Sequence, residues 1–293
     1  MMNQTSTFTF AAVPRAARAA LQWRLLLLWV LLMLIPTAIL AMPLWTVMST
    51  GLDHSVHAAA FARQLDMTVF ADLMAMHGKH AEAFNLATML ALATTLLLSP
   101  LLTGMAATAS RAPATPGMRD LIAGGLREYP RMLRMLVWSV VPLGLAVAIG
   151  GAAMDAAGEQ LDKAIVASDV DLINYAAIAV AVLLFAFAHA TLDAGRAALT
   201  IERRRTSAVK AWWSGLKMVV RRPVASLGVY FAISIVGLAI AAALTVARIN
   251  VAGWNLGLFI AALLLVQLTV AVLAWMRSAR LFAMVELARS QKV

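Results

Sequence analysis

Cysteine is missing from all 293 residues. Its absence removes disulfides, thiolate catalysis and cysteine-held zinc or iron–sulfur centres together. Charge is scarce as well, at 13% of the chain, where a soluble domain carries roughly a quarter. Acids are the scarcer sign, with 14 Asp and Glu against 24 Lys and Arg. No G-x-S-x-G, G-x-x-x-x-G-K-[ST] or H-E-x-x-H occurs, and no apolar run holds a pair of carboxylates. Nucleophile-elbow hydrolases, P-loop nucleotidases and zinc proteases of that type therefore have no footing here.

Apolar residues fill the space that charge leaves, at 62% of the chain with a mean hydropathy of +0.84. Crossing a hydrocarbon core of ~30 Å takes about 20 apolar residues in a helix. Six runs reach that length, near 25–43, 84–105, 135–154, 172–191, 224–244 and 258–276. The expected fold is all-α, a polytopic membrane protein of six transmembrane helices. Pro36, Pro100 and Pro142 fall inside the first three runs and mark kinks. A basic segment followed by an apolar run also describes a signal peptide, but the first run is long and no A-x-A site closes it.

The segments between the runs set an orientation. Those at 1–24, 106–134, 195–222 and after 276 carry 20 of the 24 cations, leaving 4 for the intervening segments. The positive-inside rule places the cation-rich set in the cytoplasm, so both termini are expected there. A bacterial inner membrane is the expected location. The same split accounts for the net charge of +10 without a nucleic-acid partner. Four regions follow: a basic N-terminal segment 1–24, a first hairpin 25–105 with a long outer loop at 46–83, a cytoplasmic segment plus second hairpin 106–194, and a third hairpin with its flanking segments 195–293.

The segment at 203–223, RRRTSAVKAWWSGLKMVVRRP, reads as an amphipathic helix in the headgroup layer. Trp212, Trp213 and Leu216 fall with Val209, Val219 and Val220 on one face, and Lys210, Lys217 and Arg221 on the other. Gly125, Leu126, Arg127 and Arg131 repeat the pattern of Gly215, Leu216, Lys217 and Arg221 at an offset of 90. Arg196, Glu202 and Arg205 repeat as Arg280, Glu286 and Arg289 at an offset of 84. A six-residue difference between the two outer loops reconciles the offsets. The unit implied is an interfacial helix, a span, an outer turn, a span and a charged extension, with spans 1 and 2 as a diverged third copy. Lys210, Trp212, Trp213, Leu216, Lys217, Arg221, Arg127 and Arg131 are the residues expected to face lipid or a partner.

Candidate chemistry is thin. His54, His57, His77 and His80 form two H-x2-H pairs in the first outer loop, a spacing that places each pair on one helical face and suits zinc, copper or nickel. His189 and Asp193 lie one helical turn apart near the inner end of the fourth run, where Arg196 or Arg280 offers Asp193 an ion-pair partner. Gln267, in the middle of the sixth run, must face another helix rather than lipid.

Three functions remain. The first is a non-catalytic scaffold, assembly factor or complex subunit, presenting basic helices to anionic headgroups or to a cytoplasmic protein partner. The second is a permease or the membrane subunit of a transporter, which requires a polar cavity between the spans. The third is a metal-dependent enzyme of the outer face, built on the histidine pairs. The first two need no cofactor.

Overall fold

The computed structural model describes residues 12–52, 80–161, 167–251 and 255–290. Eight helices account for them: α1 (Ala12–Ala19), α2 (Trp23–Leu52), α3 (Ala81–Arg111), α4 (Met118–Leu161), α5 (Ala167–Ile201), α6 (Ala208–Arg221), α7 (Pro223–Ile249) and α8 (Leu256–Arg289). No strand occurs among the described residues. Six of these helices, all but α1 and α6, are long and apolar enough to cross a membrane. The shortest of the six, α7 with 27 residues, spans ~40 Å at ~1.5 Å per residue.

The start of the second hairpin differs from the sequence reading. The segment ahead of the third run is not a separate helix: α4 continues through Pro130 and Pro142 for 44 residues. The charged extensions of the fourth and sixth runs are helical, as expected, and continue α5 and α8 without a break. Only α6 is separate, ended by Arg222 at φ −134° and ψ 63°, after which Pro223 opens α7. A proline at the first helical position gives up no hydrogen bond. Ser207 caps α6 by accepting from the Lys210 backbone, and Asn255 caps α8 by accepting from Leu258.

Packing is concentrated at the end of the bundle where the basic segments meet. The buried core joins Leu25 and Leu28 of α2, Leu102 and Met105 of α3, Leu121 and Met135 of α4, Leu192 and Leu199 of α5, Val219 of α6, Val229 of α7, and Met284 and Leu287 of α8. The far halves expose their apolar side chains, among them Leu40, Leu145, Leu172, Ile235 and Leu264. Apolar surface of that extent is compatible with a lipid surround and unsuited to water.

Helix crossings at the basic end are close enough to require glycine. A Cβ on Gly104 of α3 would lie 2.8 Å from the Gly125 carbonyl oxygen of α4. A Cβ on Gly215 of α6 would lie 2.4 Å from the Gly195 nitrogen of α5. A third junction joins the chain's two ends: α1 lies on α8, where Trp275 donates to the Ala17 carbonyl at 2.8 Å and Arg15 pairs with Glu286 at 3.4 Å.

A buried ionic cluster fixes the first two junctions to each other. Glu128 of α4 binds Arg111 of α3 at 2.8 Å and also Arg131 one turn along its own helix. Arg131 then donates to the carbonyls of Leu199 at 2.6 Å, Glu202 at 2.7 Å and Arg205 at 3.1 Å, while Arg111 donates to Thr200 at 3.1 Å. The last carbonyls of a helix have no partner within it. Two guanidinium groups supply partners at the C-terminus of α5, where the helix dipole also favours cations.

Candidate functional site

A polar cavity of about 240 Å³ lies between α2, α3, α4, α5 and α8 at the basic end. Helical periodicity builds its walls. Thr95, Ser99 and Thr103 recur every four residues on α3, His189, Asp193 and Arg196 share one face of α5, and Arg277, Ser278 and Arg280 come from a single turn of α8. Trp29 of α2 and Ser139 of α4 complete the polar lining.

Asp193 is buried and is the hub of the charged wall. Arg196 donates to its Oδ1 at 2.7 Å, and Arg280 Nε and His189 Nδ1 lie 3.3 and 3.5 Å from its Oδ2. The latter two approaches are ion-pair distances without hydrogen-bond alignment. Arg280 also donates to Ser234 of α7 at 3.0 Å and stacks over Tyr230 with its guanidinium carbon 4.9 Å from the ring centre. The His189 ring packs between Phe185 and Tyr230. Arg280 is therefore held by its ion pair with Asp193, its hydrogen bond to Ser234 and its stacking on Tyr230.

Arg277 differs. It lines the same cavity but is exposed at its mouth, and no carboxylate lies within ion-pair distance among the described residues. Two buried donors in the lining are also without a partner among the described residues: the Trp29 indole nitrogen and the Ser278 hydroxyl. The lining thus holds Arg196, Arg277 and Arg280 against the single acid Asp193, with unused donors beside them. The charges and donors of this lining suit an anion. Guanidinium groups bind carboxylate or phosphate through charge-assisted hydrogen bonds, and the indole and hydroxyl can donate to the same oxygens.

Other residues singled out in the sequence are scattered. Of the four outer-loop histidines only His80 is described: it precedes α3 without capping it. His54, His57 and His77 lie outside the described residues, and among those described no group of three His, Asp or Glu could hold a metal ion. Gln267 is half-buried on α8, outside the lining of the cavity, and Thr269 beside it bonds back to Leu265 of its own helix.

The residues expected to face lipid divide into two sets. Val209, Trp213, Val220, Lys210, Lys217 and Arg221 of α6 are exposed, as are Leu126 and Arg127 of α4, and Leu216 is half-exposed. Lys217 sits over the Trp213 ring at 5.8 Å. Val219 and Arg131, however, are buried, and Trp212 turns inward. The Trp212 indole donates to Thr191 of α5 at 3.1 Å and meets Trp138 edge-on. Helical spacing found an apolar stripe on α6 but not the second, smaller-residue stripe of Ala208, Ala211, Gly215 and Met218 that packs on the protein. Arg131 is drawn inward by the end of α5, a partner that lies 68 residues away for its closest bond.

Sequence reasoning missed Trp29, Ser139, Arg277 and Ser278. The hydroxyl stripe of Thr95, Ser99 and Thr103 was the available signal, since it marks one side of an otherwise apolar helix. Compared with protein-family models, with curated proteins and with solved structures, the chain gives no match.

Proposed function

We propose that the protein is a non-catalytic, multi-pass inner-membrane protein that binds an anionic ligand between its spans. This is the permease or transporter-subunit reading in preference to the bare scaffold. The observation that carries it is Arg277, a cation lining the cavity with no carboxylate within ion-pair distance among the described residues. Ionisable groups placed near a membrane and facing a bundle interior mark ligand paths more often than inert structure.

Both termini lie in the cytoplasm under this reading, by the distribution of cations. The bundle consists of three hairpin units. In each, the charged end of the second span receives the interfacial helix of the next: α3 receives the start of α4, α5 receives α6, and α8 receives α1. The glycine crossings Gly104–Gly125 and Gly195–Gly215 support the equivalence of the first two junctions. The return of α1 to α8 supports closure of the third onto the first. Units of one topology are related by an axis along the membrane normal, and the polar cavity lies between helices of all three. The exposed side of α6, with Trp213 among Lys210, Lys217 and Arg221, supports contact with anionic headgroups. The scaffold reading draws on that same face.

The test is anion-dependent stability of the purified protein. Inorganic phosphate or sulfate at millimolar concentration is expected to raise the thermal midpoint of the wild type above that in chloride at equal ionic strength, and not to do so for Arg277→Gln. Equal responses of the two proteins would remove the anion site. Reporter fusions at each terminus check the orientation, and a periplasmic signal from either one overturns it.

A further inference from the structure

On the side of α2 the polar cavity shares lining residues with a second space. An apolar groove of about 540 Å³ between α2, α3 and α8 shares Trp29, Thr95 and Arg277 with it and runs along the far halves of those helices past Thr37, Leu40, Thr88 and Leu92. At about 240 Å³ the polar cavity falls below the ~300–1,000 Å³ usual for small-molecule sites. The two volumes together fall within that range. Side by side they are cationic at one end and apolar along the rest, and Arg277 lines both.

We infer that the ligand is an anionic amphiphile, a lipid with a phosphate or carboxylate headgroup. The headgroup enters the cavity beside Arg277, Ser278 and the Trp29 indole, and an acyl chain lies in the groove. This rests on the anion-binding reading above and adds the chain. Charge complementarity selects the occupant. A zwitterionic lipid brings a phosphate whose charge its own headgroup cation already balances, so it matches the cationic end less well than an acidic lipid. A free anion would leave the groove to unrelated lipid. Basic pockets between spans on the cytoplasmic side suit acidic headgroups generally, because the guanidinium and phosphate pair in two parallel hydrogen bonds. Pro36 lines the groove from within α2, where it has no backbone N–H to donate to the preceding turn.

The experiment uses the full chain, delipidated in a neutral maltoside detergent, with thermal unfolding followed by tryptophan fluorescence. The probes are dioleoyl phosphatidic acid, dioleoyl phosphatidylcholine, and inorganic phosphate. Phosphatidic acid is expected to raise the midpoint by about 5 °C or more at saturation, phosphatidylcholine far less, and phosphate by an intermediate amount. Arg277→Gln should abolish the preference for phosphatidic acid over phosphatidylcholine. Thr88→Trp fills the groove from an exposed position; it should abolish the advantage of phosphatidic acid over phosphate while leaving the phosphate response intact. Native mass spectrometry of the same samples counts bound lipid and shows that each variant remains folded. Protection by phosphate equal to that by phosphatidic acid, unaffected by Thr88→Trp, overturns the amphiphile and leaves the anion site standing. No response to either phosphate or phosphatidic acid overturns both. Equal protection by the two lipids, unaffected by Arg277→Gln, means lipid is held without headgroup recognition and also overturns the inference.

Discussion

The indole of Trp275, at the end of the last span, donates to the Ala17 carbonyl in the first helix, 258 residues away in the chain. This bond and the Arg15–Glu286 pair fasten the two ends of the protein together. The pair is exposed on the Arg15 side, so it contributes little, and the anchor is the hydrogen bond with the burial of Ala16 and Ala20. Trp275→Phe keeps the ring and loses the donor, at a cost of about 1 kcal/mol. Deleting residues 1–20 should cost more and open the α8 end to protease. Unfolding midpoints and limited proteolysis in detergent measure both effects; unchanged cleavage of the truncated protein would mean that the junction is not a fastening.

Gly215 packs directly against the backbone of α5, and its tolerance measures how rigid the α5–α6 crossing is. Gly215→Ala places a methyl group 2.4 Å from the Gly195 nitrogen, against backbone that cannot rotate away. A destabilisation of about 1–3 kcal/mol is expected, with Gly125→Ala similar. Gly151→Ala is the control, since nothing lies within 4 Å of its Cβ position; there the substitution should be neutral or slightly stabilising because alanine is the better helix former. Midpoints in the same detergent decide it, and equal values for Gly215→Ala and Gly151→Ala would refute the close crossing.

Glu128 separates structural from superficial ion pairs. It is buried between Arg111 and Arg131, so Glu128→Ala leaves two guanidinium groups without their acid. Removing one partner from a buried network costs about 3–5 kcal/mol. Glu202 and Arg205 form a pair of comparable geometry, but about a third of each side chain is exposed, and Arg205→Gln should change stability by less than ~1 kcal/mol. Chemical or thermal unfolding of the two variants side by side should show that ranking. A reversed order would show the cluster to be incidental.

Much of the architecture could be read from composition. The six spans and their apolar surfaces follow from run length, and α6 from its 3.6-residue pattern, because both depend on neighbours in sequence. Asp193 was legible too, since Arg196 is one turn away and Arg280 occupies the repeat-equivalent position. What escaped depends on distance. Arg131 resembled its counterpart Arg221, and only the end of α5 draws it inward while Arg221 stays exposed. Arg277 resembled one more cation of the basic tail until α2, α3, α4 and α5 enclosed the space beside it. Pro130 and Pro223 show the same limit locally, one inside a continuous helix and the other starting a new one.

Asp193 carries two roles that a single substitution can pull apart. As the only acid in the cavity lining among the described residues, it neutralises Arg196 and Arg280 and fixes α5 to α8. Asp193→Asn keeps the shape and removes the charge. Stability in chloride should therefore fall, by about 3 kcal/mol or more, because two buried or half-buried cations lose their counterion. Arg280→Gln in the same background should recover part of that loss, since it removes one of the stranded charges, and the coupling from a double-mutant cycle measures the pair. The second role predicts an opposite change. With the acid gone, the lining is more positive, so phosphate should stabilise Asp193→Asn by a larger increment than it stabilises the wild type. A purely structural aspartate would lower the midpoint and leave the phosphate increment unchanged. Thermal unfolding with and without phosphate, for the wild type, the two single variants and the double variant, separates these outcomes.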